Sequence, residues 1–389
     1  MKDHQMHHIL QIHTLAPVYV GDGGRIGKKE YFYLPEERKV IVPDLPAMYG
    51  EISRKGLSGS FEAFLLSSDG GSAEGRDLYR FLVGQGFTGQ DFRRWQRYEL
   101  DAGDAFIRRG DGAREQKPPA EILTFMKDPY GQPYIPGSTI KGCLRTALLV
   151  YELQKDPESF AEDREQIRAE ALFPTDKRET NQVLARLTEN LELHAFHTRQ
   201  RRTDRPEGRS CERNFSMTGL RISDSDPLSL SCLTLARKVD YTLNRREVPG
   251  PILREAVKPE TDIRFSLTID RELCPYTVEQ IFEAVNLWKD IQYQVFYSRF
   301  GRGSDDPDTI WIGGGVGYLS KTVTYPMFGK DGVRVTDGIF RQTLDRKHCY
   351  REHHHDGDLL RQIAPHVCKC TYFENRLYDM GRAKLQLLQ

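Results

Sequence analysis

The sequence predicts an α+β fold, and two patterns of apolar residues support this prediction. Apolar and polar residues alternate over residues 9–14 and again over residues 383–388, as is typical of half-buried strands. Apolar residues recur three and four positions apart after Ser138 and after Thr277, as is typical of amphipathic helices. With 389 residues, of which 38% are hydrophobic, the chain is long enough to bury a sizeable core.

The first part of the chain contains one predicted strand and two short predicted helices. The strand at residues 9–14 is followed by Gly21, Asp22, Gly23 and Gly24, which predict a sharp turn. Apolar periodicity predicts helices at residues 61–66 and 78–83, on either side of a glycine- and serine-rich loop. Residues 101–119 are charged and contain glycine, so we expect an exposed connection there.

Two longer helices are predicted next. The first begins at Ser138, a good N-cap residue. Its predicted core face consists of Ile140, Leu144, Ala147, Leu148 and Tyr151. The second covers residues 179–197 and continues into residues 198–214, where six arginines face three acidic residues and apolar residues are almost absent. Such a composition predicts an exposed loop.

The remaining elements complete a recognisable order. Strands are predicted at residues 219–223, 232–239, 263–269 and 310–312, a long helix at residues 277–299, and an edge strand at residues 383–388. Strand, helix, strand, strand, helix, strand is the order of a ferredoxin-like (RRM-like) fold, here with long helical and loop insertions. The order fits one module with long insertions or two modules. We favour two halves, residues 1–214 with a helical insertion and residues 215–389 with a glycine-rich loop.

Charge and composition exclude several classes of protein. Lys plus Arg and Asp plus Glu each total 56, so the net charge is zero, which excludes a histone-like nucleic-acid binder but leaves local basic clusters open. No apolar run approaches the roughly 18 residues that cross a bilayer, and the N-terminus lacks a signal-peptide core. We therefore expect a cytoplasmic protein without a membrane partner. Seven scattered cysteines favour a reducing compartment.

The start of the first long helix combines several groups that bind anions. Gly137 allows close backbone approach, the free N–H groups of a helix start favour negative charge, and side-chain donors follow. The donors are Ser138, Thr139, Lys141 and Arg145. The alternative is an ordinary capped helix with a solvated basic edge. The spacing excludes a P-loop.

A glycine run after the strand at 310–312 is the second candidate. Its glycines are Gly313, Gly314, Gly315 and Gly317. A backbone without Cβ atoms can lie against a ribose-phosphate chain, while Tyr318 could stack on a base and Lys321 could meet a phosphate. A tight structural turn is the alternative.

Two further groups of residues have weaker signals. The Arg-rich loop, with Arg199, Arg201 and Arg202 at its start, could clamp a nucleic-acid backbone or could be a solvated loop. Clusters around residues 353–358 and 366–370 contain His, Asp and Cys, but their spacing does not match zinc motifs, so we expect no metal and no cofactor. His4, His7, His8 and His13 could include a general base, but we favour the alternative, an exposed polar N-terminus.

Four phrases of the sequence resemble the RAMP superfamily of CRISPR proteins. These are Gly21-Asp22-Gly23 after the first strand, YIPGSTIKG at residues 134–142, LRISD at residues 220–224, and GGGVGY at residues 313–318 followed by Lys321. Within the superfamily, the chain most resembles the subunit-five family of type III-A Csm interference complexes. The length, LREAVKP at residues 253–259 and MGRAK at residues 380–384 carry this closer resemblance.

The resemblance implies ferredoxin-like RAMP modules and a function in antiviral defence. It implies a non-catalytic subunit that binds CRISPR RNA (crRNA), caps the RAMP backbone at the crRNA 3′ side and supports crRNA maturation. The implied partners are crRNA, other RAMP subunits of the Csm complex and recruited nucleases. By position, the helix-start donors and the glycine run with Tyr318 and Lys321 become the RNA-binding residues, together with Gly21 and Gly23. No counterpart of a target-cleaving loop Asp is found.

Two other functions remain as alternatives. One is a metal-independent endoribonuclease that processes CRISPR repeats, with His13 or another N-terminal His as general base. The other is an RNA-binding module outside CRISPR, because the RRM-like order alone does not define function.

Overall fold

Two β-sheets and two long helices organise the chain in a computed structural model that describes residues 4–67, 77–108, 115–116, 121–174, 176, 179–197, 215–344 and 349–388. The strands are β1 (Gln5–Thr14), β2 (Gly21–Ile26), β3 (Phe32–Leu34), β4 (Lys39–Pro43), β5 (Gln96–Asp101), β6 (Ile107–Arg108), β7 (Glu115–Gln116), β8 (Ile122–Phe125), β9 (Leu220–Ile222), β10 (Leu233–Thr242), β11 (Glu247–Val257), β12 (Asp262–Asp270), β13 (Thr309–Trp311), β14 (Val367–Phe373), β15 (Arg376–Asp379) and β16 (Arg382–Leu387). The α-helices are α1 (Leu45–Arg54), α2 (Ser58–Leu66), α3 (Leu78–Gly84), α4 (Gly89–Arg94), α5 (Gly137–Lys155), α6 (Ala161–Leu172), α7 (Thr180–Phe196), α8 (Val278–Val295), α9 (Thr324–Phe328), α10 (Gly332–Leu344), α11 (Cys349–Glu352) and α12 (Asp358–Arg361).

The first sheet is antiparallel and has the order β13-β16-β1-β12-β9. Leu10 and Ile12 of β1 are buried, as are Phe265 of β12 and Leu385 of β16, while α5 and α8 pack against each other in the same core. Along the chain the order is β1, α5, β9, β12, α8, β16, with β13 added at the edge. This confirms the predicted ferredoxin-like order with long insertions.

The last strand is not an edge strand as predicted. In the first sheet β16 pairs with β1 on one side, with Leu10 opposite Leu387, and with β13 on the other. Ala383 and Leu385 are fully buried. Alternation indicates only that one face of a strand is buried, and it does not indicate how many neighbours the strand has.

The second sheet has the order β2-β8-β11-β10-β5-β4-β3, and β14 and β15 join it through β10. Most of its pairs are antiparallel, but β5 pairs with β10 and β8 pairs with β11 in parallel. Both sheets combine strands from either side of residue 214. The division into residues 1–214 and 215–389 stays a prediction about folding units, since it does not coincide with the boundary of a sheet.

Residues 21–24 lie in edge strand β2 rather than in a sharp turn. Gly21 pairs with Phe125 and Arg25 with Leu123, and the register shifts between them, so the intervening residues form a bulge. Gly23 has a φ of 86°, which favours glycine at this position. The predicted turn was wrong because a bulged glycine-rich edge strand and a turn have the same local composition.

The helices agree with the predicted periodicity. The short helices α2 and α3 lie where predicted and share with α1 and α4 a separate core of Phe61, Phe64, Leu82 and Trp95 among others. The predicted exposed connection after residue 101 was wrong in its first part, because Ala102, Ala105 and Phe106 are buried. No helix in the described ranges is long and apolar enough to span a membrane. The described cysteines are Cys143, Cys232, Cys274, Cys349, Cys368 and Cys370, and no two of them form a disulfide.

Candidate nucleic-acid interface

A groove of about 610 Å³ lies where three sequence segments meet. The segments are the stretch after β1, the first turns of α5 and the glycine run after β13. The lining residues are Tyr19, Val20, Gly21, Gly23, Ser138, Thr139, Gly142, Cys143, Arg145, Thr146, Trp311, Ile312, Gly313, Gly314, Ser320 and Lys321. The fold therefore joins the three segments that the sequence marks as candidates, although they are separated by more than a hundred residues each.

The predicted RNA-binding residues fall into three groups in the structure. The groove is lined by Gly21, Gly23, Ser138, Thr139, Arg145, Gly313, Gly314 and Lys321. The lining does not include Gly137, Lys141, Gly315, Gly317 and Tyr318. The remaining candidates, Arg199, Arg201 and Arg202, lie outside the described residues.

The N-terminus of α5 already has a carboxylate partner from within the chain. The helix begins at Gly137, whose N–H donates to Asp224 Oδ1 at 2.9 Å, and the Thr139 N–H donates to the Pro136 carbonyl. Ser138, predicted as the N-cap, is instead an exposed residue of the first turn. Since Asp224 offsets part of the positive field at this helix end, an anion in the groove must bind mainly to side chains.

Gly137 is required by packing. A Cβ atom at this position would lie 2.2 Å from the Ile222 carbonyl oxygen and 2.4 Å from that of Ser223. The helix start therefore sits directly against the end of β9. This close packing gives a structural reason for the proximity of the YIPGSTIKG and LRISD phrases, which in sequence are unrelated.

The glycine run is anchored on the segment after β1. Gly313 has a φ of 82°, and a Cβ there would lie 2.1 Å from the Tyr19 carbonyl oxygen. The same oxygen accepts a hydrogen bond from the Gly314 N–H at 2.7 Å. Gly315 also has a positive φ and lies against the Arg254 guanidinium. The run is thus a tight turn, and the same turn exposes Gly313 and Gly314 to the groove.

The cations at the groove differ in their surroundings. Lys321 is exposed, and among the described residues no carboxylate lies within ion-pair distance of its ammonium. The Arg145 guanidinium is exposed and lies 3.5 Å from Glu192 Oε2 of α7. Burial lowers the pKa of Lys141, partly opposed by Cys274, and nearby Arg145 and Arg221 lower it further. Neither Lys141 nor Arg221 lines the groove.

Tyr318 faces the protein interior. Its ring packs edge-on against Phe340 at a centroid distance of 4.9 Å, and its hydroxyl bonds with the Thr324 hydroxyl at 3.0 Å. Burial raises the pKa of Tyr318. Stacking on a base requires this ring to leave both partners, so the predicted stacking has no support from the geometry.

The residues that sequence reasoning missed include Tyr19, Arg221 and Arg254. Tyr19 lines its floor, and the Arg254 guanidinium lies 5.6 Å from the Tyr19 ring centroid. Arg221 lies beside Lys141, as its effect on that pKa indicates. The LRISD and LREAVKP phrases contain Arg221 and Arg254, but no local pattern distinguishes them from other surface arginines.

Comparison with known proteins gives a family for the chain. The family model described as "RAMP superfamily" matches residues 11–302, which is most of the chain and includes the first two segments of the groove. The chain belongs to the RAMP superfamily. This result confirms the resemblance seen in the sequence, and the α+β fold with ferredoxin-like modules agrees with it.

Individual relatives of this RAMP protein belong to one subunit type. It is 27% identical over 396 residues to the CRISPR system Cms protein Csm5 of Mycobacterium tuberculosis (strain ATCC 25618 / H37Rv), covering 97% of this chain and 96% of the relative. It is 27% identical over 348 residues to the Csm5 protein of Streptococcus thermophilus, covering 87% and 83%. The RAMP protein is thus Csm5-like.

Two solved structures share the fold. A chain in the cryo-EM structure of a Csm–crRNA–target RNA ternary complex of a type III-A system matches with a TM-score of 0.63 at 16% identity, covering 98% of this chain and 100% of that one. The crystal structure of T. onnurineus Csm5 matches with a TM-score of 0.57 at 17% identity, covering 96% and 99%.

Proposed function

We propose that this protein is the subunit of a type III-A Csm complex that binds crRNA at its 3′ side, caps the RAMP backbone and supports crRNA maturation without cleaving RNA itself. The observation that carries the proposal is the groove, which unites three segments predicted to bind RNA. Its expected partners are crRNA, the neighbouring RAMP subunits and nucleases recruited for maturation.

The chemistry of the groove suits an RNA backbone. The hydroxyls of Ser138 and Thr139 and the cations of Arg145 and Lys321 are donors for phosphate and 2′-hydroxyl oxygens. The two aromatic side chains in the lining, Tyr19 and Trp311, are only 9% and 2% exposed, so neither offers a free face for a base. Donors of this kind position an RNA strand without reading its sequence, as a subunit that accepts many spacer sequences requires.

The comparisons support the assembly part of the proposal. The two relatives are named Csm5, and the chain covers 96% and 83% of their lengths. One structural match is a chain of a complex that contains crRNA and target RNA. A chain of zero net charge can bind RNA through one basic groove and bind protein neighbours through its remaining surface.

The endoribonuclease alternative uses His13 or another N-terminal His as general base, and the surroundings of His13 do not suit that role. His13 Nδ1 lies 2.8 Å from Asp262 Oδ1, and Nε2 lies 3.2 Å from Glu260 Oε2. The hydrogen bond to Asp262 raises the pKa of His13, which burial partly opposes. A base must present an unprotonated nitrogen to the 2′-hydroxyl, whereas both His13 nitrogens face carboxylates that also repel phosphate.

NMR titration of the His13 ring protons should therefore give a pKa above the ordinary value of 6.5. Because the folded-state pKa is raised, the interaction contributes stability below pH 6.5, and this contribution is lost as the pH rises through the folded-state pKa. We expect His13→Ala to leave crRNA affinity unchanged. A pKa at or below 6.5, or repeat RNA cleaved in EDTA by the wild type but not by His13→Ala, supports the endoribonuclease instead.

Site-directed crosslinking tests the proposed function directly. The full chain is assembled with the other Csm subunits and a crRNA that carries 4-thiouridine either near its 3′ end or near its 5′ end. After irradiation, we expect the 3′-labelled RNA to crosslink to peptides containing residues 138–145 and 311–321. Crosslinks of this chain to the 5′-labelled RNA only, or a complex in which this chain crosslinks to neither RNA, contradict the proposal.

A further inference from the structure

Two histidines converge on one buried carboxylate far along the chain from the groove segments. Asp358, at the start of α12, is fully buried. His355 Nδ1 lies 2.8 Å from Asp358 Oδ2, and His366 Nδ1 lies 2.5 Å from Asp358 Oδ1. Each imidazole thus meets a different oxygen of the same carboxylate. The proposed RNA-binding function makes no use of this cluster.

The three side chains provide a donor set that suits a transition metal. Two imidazole nitrogens and one carboxylate oxygen, all within 4.8 Å of one another, are the ligand types of three-ligand zinc sites. In tetrahedral zinc sites the metal–ligand bonds are about 2.0–2.2 Å long, which places neighbouring ligand atoms about 3.3 Å apart. All three ligand atoms already lie within 4.8 Å of one another, so changes of no more than about 1.5 Å in their separations give this geometry.

We propose that His355, Asp358 and His366 form a binding site for a divalent transition-metal ion, with zinc the best match to these ligands. The carboxylate supplies the negative charge that a dication requires in a buried position. Nitrogen and oxygen donors together favour zinc and its first-row neighbours over magnesium or calcium, which prefer oxygen ligands alone.

The surroundings of the cluster are consistent with a site of low solvent access. The His355 ring packs against the Phe340 ring of α10 at a centroid distance of 4.8 Å, and Tyr350 lies at 6.0 Å. The His353 ring is stacked 6.3 Å from that of His355 and is exposed, so it or a water molecule can complete the coordination. The Arg361 guanidinium, 3.6 Å from Asp358 and 41% exposed, can turn towards solvent when a cation binds.

A metal ion bound here would link α12 and His355, which precedes that helix, to His366, which precedes β14. Along the chain, His355 and Asp358 precede residues 359–365, and His366 follows them. Metal binding should therefore stabilise this part of the fold against unfolding. The same distances also describe a purely hydrogen-bonded triad, in which each imidazole donates an Nδ1–H to Asp358, and the experiment separates the two.

The test is a zinc titration of the complete, tag-free protein after treatment with EDTA and dialysis. All variants carry His4→Gln, because His4 groups with Asp270 and Glu272 in a second His and carboxylate cluster. Calorimetry should show one saturable zinc site per chain, and cobalt in place of zinc should give the visible absorption of a tetrahedral site. His355→Gln and His366→Gln should each weaken zinc binding at least about tenfold.

His194→Gln is the matched control. His194 Nδ1 lies 2.8 Å from Asp163 Oδ2, the same pairing as His355 with Asp358, but in the described part of the chain no second histidine joins this pair in a cluster. This variant should bind zinc as the parent does. Circular dichroism verifies that each variant is folded, and His366→Gln keeps the test valid if His355→Gln, at a buried position, does not fold. Absence of a saturable site, or equal zinc affinity in His366→Gln and His194→Gln, overturns the proposal in favour of the hydrogen-bonded triad.

Discussion

Replacing Arg145 and Lys321 together by alanine should weaken crRNA binding by about tenfold to a hundredfold, without loss of the fold. Both cations line the groove, and neither is buried, so each can bind a phosphate and release a counterion. The affinity should also depend less on salt. In a plot of the logarithm of the binding constant against the logarithm of the salt concentration, the slope should become shallower by about 0.7 for each phosphate of the single strand that the variant no longer neutralises. Fluorescence anisotropy with labelled crRNA over a series of salt concentrations measures both quantities.

The matched control is Lys330→Ala with Arg334→Ala. It removes the same charge from exposed positions that do not line the groove, so it should leave the affinity and the salt slope nearly unchanged. The conservative pair Arg145→Lys with Lys321→Arg should retain most of the binding. Equal losses of affinity in the groove and control variants indicate that only the overall charge matters, and unchanged binding in the groove variant removes the groove from the RNA path.

Gly137→Ala should destabilise the protein by about 3 kcal/mol or more. The added methyl group lies 2.2 Å from the Ile222 carbonyl oxygen and 2.4 Å from that of Ser223, and these are backbone atoms that a side-chain rotation cannot move. Relief requires the start of α5 to move away from β9, which also stretches the hydrogen bond from Gly137 to Asp224. The midpoint of urea unfolding, followed by circular dichroism, measures the effect.

Gly142→Ala in the same helix is the control for helix propensity. A Cβ at residue 142 meets no atom within 4 Å, so the substitution should stabilise the protein by up to about 1 kcal/mol, as alanine does in helix interiors. If both variants have the same urea midpoint as the wild type, the close packing of α5 against β9 is not formed as described. If Gly137→Ala unfolds on expression, Gly137→Ser gives no rescue, since any Cβ meets the same oxygens.

Local patterns in the sequence correctly predicted the strands and helices of the ferredoxin-like order. The periodicity of α5 and α8 and the alternation in β1, β12 and β16 arise from burial of one face, which neighbouring residues encode directly. Several residues that line the groove were candidates for a related reason, because glycine, hydroxyl and basic residues cluster within short phrases. These phrases also identified the superfamily.

Several of the failed predictions concern relations between distant segments. Asp224, not Ser138, partners the start of α5, and this carboxylate is 87 residues away in the chain. The glycines at 137 and 313 are required by carbonyl oxygens of β9 and of Tyr19, which no local pattern reveals. The strand β16 lies inside its sheet because β13 pairs with its outer edge.

The sequence alone determined the elements of the ferredoxin-like order and the chemistry of each short phrase, because these depend on residues within a few turns or strand positions of one another. Only the tertiary structure decided which phrases meet. The pairing of β1 with β12 and β16 brings residues 19–23, 138–146 and 311–321 to one groove. Packing around α12 likewise brings His355 and His366 to one carboxylate. Contacts between segments that are distant in the sequence depend on long-range strand pairing and side-chain packing, and these are set by all the elements together.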